Sequence, residues 1–207
     1  MKNNIPEKEL KILKKLNTPV KIQNFLDKMP INFEENGDTG FSPMTVLRKK
    51  ICHCTEAAVL AALALRIHGY PPLVLDLTAS RYDFDHVIAL FQKDGKWGAI
   101  SKTNHAALRY REPIYASIRE LAMSYFHEYI DDKGRKNLRS YSPPVNLKRF
   151  DKLAWMHTYE EITYIPEYLA EVKHFPMLNR KQIRNLRRSD EIEIQAGKIV
   201  EWKKRGK

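Results

Sequence analysis

The chain has 207 residues, of which 43% are hydrophobic and 29% charged, a balance that fits a globular protein and excludes collagen-like, coiled-coil and disordered classes. At roughly 100–200 residues per domain, the length allows one domain with appendages, or at most two. Lys and Arg total 36 against 25 acids, a net charge of +11, and Arg180 to Lys207 alone carries ten bases and four acids. A tail of that kind suits nucleic acid or another anionic partner, or is simply a solvated face. No zinc-finger spacing, RNP motif or glycine-rich phosphate loop points to nucleic acid.

The first segment, Met1 to Leu16, is lysine-rich, with Leu10, Leu13 and Leu16 at helical spacing over Glu7 to Leu16. It has no apolar h-region and no small-residue cleavage site, so a secretory signal is not expected. Thr18 before Pro19 predicts a cap for a second helix reaching Met29, and Ser42-Pro43 predicts another start running to Arg48. Between them, Asn32 to Gly40 reads as loop. Thr55 to His68, TEAAVLAALALRIH, is almost all strong helix formers with little charge, so it predicts a helix buried on nearly every side. Gly69 ends it, and Pro71-Pro72 prevent continuation. Within it, the weakly polar run Ala57 to Ile67 is interrupted by Arg66 and falls far short of the ~20 residues of a membrane span, so no membrane partner is expected.

Strands are predicted at Leu73 to Thr78, at His86 to Phe91 (HVIALF) and from Trp97 to Ile100, with Lys93-Asp94-Gly95-Lys96 as the hairpin turn of the last two. A buried helix followed by antiparallel strands gives an α+β class. Later segments are weaker. Ser117 to Tyr129, Asp151 to Met156 and Tyr164 to Phe175 read as helices, and Ser140 to Val145 as a proline loop. Asp190 to Trp202 reads as a late hairpin about Ala196-Gly197. The division that follows is a core over residues 1–150 and a helical extension with a basic tail over residues 151–207.

Cys54 stands where the buried helix begins, His86 where a strand begins, and Ser101-Lys102-Thr103-Asn104 where the paired strand ends. The unsatisfied N–H groups of a helix N-terminus favour thiolate over thiol, which makes a cysteine there nucleophilic. A nearby histidine can hold the thiol proton and later deliver it to a leaving amine. If the hairpin centres between Lys93 and Asp94, His86 faces Ser101; if it centres between Asp94 and Gly95, it faces Thr103. Asn104 is a further candidate to orient His86, although the pleat places it out of phase with Ser101 and Thr103. Asp85, next to His86, is either a loop residue or a modulator of its titration. Cys52-His53-Cys54 supplies neither the knuckle spacing nor the second ligand pair of a zinc site, and no metal or organic cofactor is expected. Two cysteines so close in sequence are poorly placed for a disulfide, which suits a reducing, cytoplasmic setting.

The stretch CTEAAVLAALALRIHGYPP resembles the nucleophile helix of the transglutaminase-like superfamily, a papain-like cysteine fold. Cys54, Arg66, Gly69 and Pro71 keep that family's order and spacing, and His86-Val87-Ile88-Ala89-Leu90 resembles its histidine-led strand. Trp97 matches the tryptophan of the third motif, but Ser101 stands where the family has its catalytic Asp, and Cys52 where it usually has Gly. The resemblance covers roughly Pro19 to Asn104, about 40% of the chain. It implies a papain-like core in which Cys54 attacks the amide of a peptide or protein substrate, His86 serves as acid and base, and Ser101 or Asn104 orients His86. The alternative is a catalytically retired module that binds a peptide in its cleft or an anionic partner through its tail.

Overall fold

The structure is a computed structural model describing residues 4–35 and 37–204; the start of the lysine-rich segment, Asn36, and Arg205 to Lys207 of the basic tail lie outside the described residues. Helices α1 (Glu7–Lys15), α2 (Pro19–Asp27) and α3 (Pro43–Lys49) lead to α4 (Cys54–Ile67). Thr18 caps α2 through Lys21 N–H, and Ser42 caps α3 through Thr45 N–H, each with proline opening the first turn. In α4 every residue from Glu56 to Leu65 is buried, as its nearly uncharged composition requires. Arg66 closes it by pairing with Asp151 through two bonds of 2.5 and 2.7 Å, which ties the helix end to a 3₁₀ helix at Leu147–Leu153.

Strands β1 (Leu73–Ala79), β2 (His86–Lys93), β3 (Lys96–Ile100) and β4 (Arg111–Tyr115) form an antiparallel meander. On the other side of β1 lie β5 (Leu138–Tyr141), β6 (Val145–Asn146) and β7 (Phe175–Pro176), giving the order β4-β3-β2-β1-β5-β7 with β6 also on β1. The alternation along β2 divides the core. Val87, Ala89 and Phe91 pack with the helices α1 to α4, while Ile88 and Leu90 pack with Leu121, Tyr125 and Tyr129 on the opposite face. A strand covered on both faces explains why HVIALF is a continuous apolar run. The class is therefore α+β.

Asp94 (φ 51°) and Gly95 (φ 73°) both take the left-handed conformation that a two-residue hairpin with matching twist needs. Gly98 has a different role: a Cβ there would sit 2.5 Å from the Phe91 ring and 2.8 Å from the Arg111 carbonyl, so only glycine lets β4 close on β3.

Several later segments differ from the sequence reading. The expected hairpin at Asp190 to Trp202 is a helix, α8 (Glu191–Gly197), after which Val200 makes a single bridge to His105. Asp190 and Glu193 form a reciprocal capping box that outweighs the short alternation of EIEIQ. Of the proline loop read at Ser140 to Val145, only Ser142 to Pro144 lie between strands, Ser140 and Tyr141 belonging to β5 and Val145 to β6, and β4 passes unannounced because Pro113 interrupts its pattern. Of the aromatic segment after Ser117, only α5 (Ile118–Met123) is helical; Tyr125, Phe126 and Tyr129 enter the core from the turns beyond it. The helix expected at Asp151 to Met156 gives way to the 3₁₀ helix at Leu147–Leu153, and that at Tyr164 to Phe175 ends earlier, as α6 (Tyr164–Glu171). A five-residue helix, α7 (Arg180–Arg184), precedes α8.

Trp155, Ile165 and Leu169, from beyond residue 150, belong to the same buried cluster as α4. Among the described residues no helix is long and apolar enough to cross a membrane.

Candidate active site

Cys54 occupies the first position of α4 and lines a cleft of about 540 Å³ together with His86, Phe84, Tyr129 and Ile130. A larger cavity, about 760 Å³, lies beyond Ile31 among Phe33, Glu34, Thr39 and Trp202 and does not reach Cys54. The chemistry of the residues, not the size of the space, singles out the first. Both cysteines are free thiols, yet they differ sharply. Burial pushes the Cys52 thiol up to about 12, with Lys102 opposing and Glu56 adding to the effect. Burial also acts to raise Cys54, but hydrogen bonds and charge from His53 and His86 prevail and hold its thiol well below the ordinary range. As a helix-start residue, Cys54 also contributes one of the N–H groups that have no partner within a helix.

His86 is the first residue of β2 and is 6% exposed. The loop before it is pinned on three sides: Tyr129 Oη donates to the Phe84 carbonyl, Ala79 N–H donates to Asp85 at 2.7 Å, and Asn137 donates to Asp83 at 3.2 Å. Asp85 is thus committed to the β1 backbone and is not the partner of His86.

The β2–β3 register, Lys93 opposite Lys96 and Ala89 opposite Ile100, is that of a turn centred between Asp94 and Gly95. Carried on, it would set His86 against Thr103. The ladder stops at Ile100, however, and His86 Nε2 meets Ser101 Oγ at 2.8 Å. A diagonal neighbour two residues off register remains within reach of a long ring.

Ser101 Oγ donates its only proton to the Leu108 carbonyl, so towards His86 it can only accept. That assigns the His86 proton to Nε2 and leaves Nδ1 with a lone pair, the tautomer a histidine needs to take a thiol proton.

Gln23, on α2, holds the backbone of Ser101. Its Oε1 accepts Ser101 N–H at 2.9 Å, and its Nε2 donates to the Ser101 carbonyl at 2.8 Å and to Asp27 at 2.7 Å. No local motif marks this residue, 78 positions upstream. We expect Gln23→Leu to free Ser101 and to slow alkylation of Cys54 at pH 6 by about tenfold, the equivalent of one to two lost hydrogen bonds. An unchanged rate would remove Gln23 from the site.

Asn104 lines the same cleft, but its side chain is bonded elsewhere than to His86. Its side chain accepts from Trp202 N–H and donates to the Trp202 carbonyl, both at 2.9 Å, while Glu201 N–H donates to the Asn104 carbonyl, also at 2.9 Å. Ala106 N–H donates to the Ile199 carbonyl at 3.1 Å, and Arg109 pairs with Glu201 at 3.1 Å. Asn104 therefore anchors an extended C-terminal segment to the edge beside the cleft. Ser101 is the residue bonded to His86.

Glu56 also escaped the sequence reading, although His53-x-x-Glu56 carries half of a capping-box pattern. The carboxylate is 2% exposed and accepts from Thr39 Oγ1 at 2.7 Å, His53 N–H at 2.9 Å, Phe41 N–H at 3.0 Å and Asn32 Nδ2 at 3.3 Å. It fastens the loop from Asn32 to Phe41 over the start of α4. Among the described residues, no group of three or more His, Cys, Asp or Glu side chains is placed to hold a metal ion. No protein-family model and no curated protein matches this chain.

Proposed function

We propose that the protein is a thiol-dependent acyl-transfer enzyme with a papain-like, transglutaminase-like core over residues 1–150, hydrolysing the amide of a peptide or protein in the cytoplasm. One observation carries the reading: a helix-start cysteine whose thiol is held low stands in a cleft with a histidine whose far nitrogen is committed to Ser101. In this scheme the Cys54 thiolate attacks the amide carbon and the C–S bond forms. The Cys54 N–H, at the helix start, donates to the developing oxyanion. The C–N bond then breaks, and His86 delivers the proton taken from the thiol to the departing amine. Neutral His86 next removes a proton from water, the resulting hydroxide attacks the thioester, and the C–S bond breaks to release the acid and restore the thiolate. The extension over residues 151–207 borders the cleft through Ile194 and Gly197.

The test is the rate of iodoacetamide alkylation against pH, scored by peptide mass spectrometry for Cys54 and Cys52 separately. We expect Cys54 to react quickly below pH 6 and Cys52 to stay inert throughout. A Cys54 that titrates near ~8.5, as a free thiol does, removes the enzyme reading.

One observation favours the retired module. The partner of His86 is a neutral hydroxyl already donating elsewhere, and it stabilises an imidazolium less than a carboxylate would. On that reading, the cleft lined by Cys54 and His86 holds a partner peptide without chemistry. The basic surface of residues 180–204 would then take an anionic partner. A peptide that binds without acylating Cys54 would establish it.

A further inference from the structure

The segment after α8 lies beside the cleft as an added strand. Ala106 N–H donates to the Ile199 carbonyl at 3.1 Å, Glu201 N–H donates to the Asn104 carbonyl at 2.9 Å, and Val200 pairs antiparallel with His105 between them. The Asn104 side chain holds both backbone groups of Trp202, and His105 Nδ1 lies 2.8 Å from the Gly197 carbonyl. Main-chain bonds of this kind suit any extended chain. Two side chains add selectivity. Glu201 meets Arg109 at 3.1 Å, and Arg109 is itself fixed by donating to the His105 carbonyl at 3.1 Å. Trp202 lines the cavity of about 760 Å³ together with Phe33 and Phe41. Asn104 and His105 also line the Cys54 cleft.

The same segment is weakly held. No residue from 190 to 204 is buried, and none belongs to either apolar cluster of the core. Ile192 and Ile199 are left exposed. Among the described residues, the buried side-chain polar atoms without a partner are Ser189 Oγ and Trp202 Nε1, which stand at the two ends of this stretch. An unpaired buried polar atom costs free energy, and no core side chain of the segment offsets it. The part-exposed Glu201–Arg109 pair gives direction more than strength. A segment with so little buried surface opens locally while the rest of the chain stays folded.

We propose that residues 199–202 are the internal occupant of a peptide-binding site. The edge from Asn104 to Ala106 takes an extended peptide as an antiparallel strand, with an acidic side chain on Arg109 and an aromatic one, next in sequence, at the Phe33 and Phe41 cavity. The peptide that binds there displaces the segment. This rests on the reading of the Cys54 cleft as a peptide site. Gly197 lines that cleft while Trp202 lines the cavity, so a peptide on the same path reaches Cys54 with its amino-terminal part. While its own chain fills the edge, the protein binds an outside peptide only in proportion to the fraction of molecules in which the segment is away.

The experiment follows the fluorescence polarisation of a labelled peptide, GKIVEWKK, which copies Gly197 to Lys204, against the full-length chain and against Glu201→Pro. Proline removes the N–H that bonds Asn104 and the carboxylate that bonds Arg109, in a segment that supplies nothing to the core. We expect Glu201→Pro to bind the peptide at least about tenfold more tightly than wild type, because the tethered competitor is gone. In that background Arg109→Glu should weaken binding about tenfold, and a peptide with lysine in place of its glutamate should restore it. Equal binding by wild type and Glu201→Pro, or binding by neither, overturns the proposal. So does a lysine peptide that binds the Arg109→Glu protein no better than the parent peptide does. Tight binding by Glu201→Pro with a Cys54 that titrates as a free thiol leaves this site standing and removes the enzyme reading. A reactive Cys54 with no peptide binding does the reverse.

Hydrogen exchange of the wild-type chain gives a second readout that needs no variant. The Ala106, Glu201 and Trp202 amides should exchange at least about 100-fold faster than those of Ile88 and Leu90 in β2. Saturating peptide should slow Ala106 while speeding Glu201 and Trp202. Protection equal to that of β2 shows a segment that does not open, and it refutes the proposal.

Discussion

Cys54→Ala is expected to form no covalent adduct with an N-acyl amino acid p-nitrophenyl ester, and His86→Ala to form it about 10²- to 10⁴-fold more slowly than wild type. The ester is a probe of the nucleophile alone, because its leaving group needs no protonation. Loss of His86 removes hydrogen bonding and charge that lower the Cys54 thiol, so acylation slows. It also removes the base for the attacking water, so the acyl-enzyme should persist and be seen by intact-mass measurement. Cys52 serves as the internal control, since burial keeps it a thiol at any working pH. An adduct that survives in Cys54→Ala, or an acylation rate indifferent to His86, would defeat the mechanism.

The second large effect is on stability. Glu56→Ala should cost about 3–5 kcal/mol, because a buried charge that serves several donors leaves each of them unsatisfied when it goes. The orphaned groups are Phe41 N–H, Thr39 Oγ1, Asn32 Nδ2 and His53 N–H, drawn from the loop and the helix start together. At about 2–4 °C per kcal/mol for a chain of this size, Tm should fall by roughly 6–20 °C. Glu56→Gln, which keeps one carbonyl acceptor, should lose less than half of that. A Glu56→Ala variant within about 1 kcal/mol of wild type would show that the loop is held by other contacts.

Much of this site could be read from local sequence. Thr55 to His68 had to be a buried helix, and Cys54 had to stand at its start, because composition and capping act over a single turn. His86 was legible as the head of a strand that the core covers on both faces. The late segments were not legible for an equally local reason. EIEIQ carries a two-residue alternation too short to separate strand from helix, and the Asp190–Glu193 box decided it. The strand Arg111–Tyr115 contains a proline that sequence rules assign to a loop, tolerated here because β4 is an edge strand.

The order of helix, strand and hairpin, and the residue types offered at each mouth, follow from nearest-neighbour physics and were determined by the sequence alone. Which side chains meet was decided by the tertiary structure. His86 reaches Ser101 and not Thr103 because the ladder ends at Ile100, a consequence of Gln23 clamping the Ser101 backbone from another helix. Asn104 is drawn away by residues nearly a hundred positions later. Of the two carboxylates beside His53, Glu56 is a local neighbour three residues on, while Glu34 comes from a loop that only the folded chain brings to the ring. Contacts of such separation depend on the closing of long loops, and no periodicity or spacing along the chain encodes them.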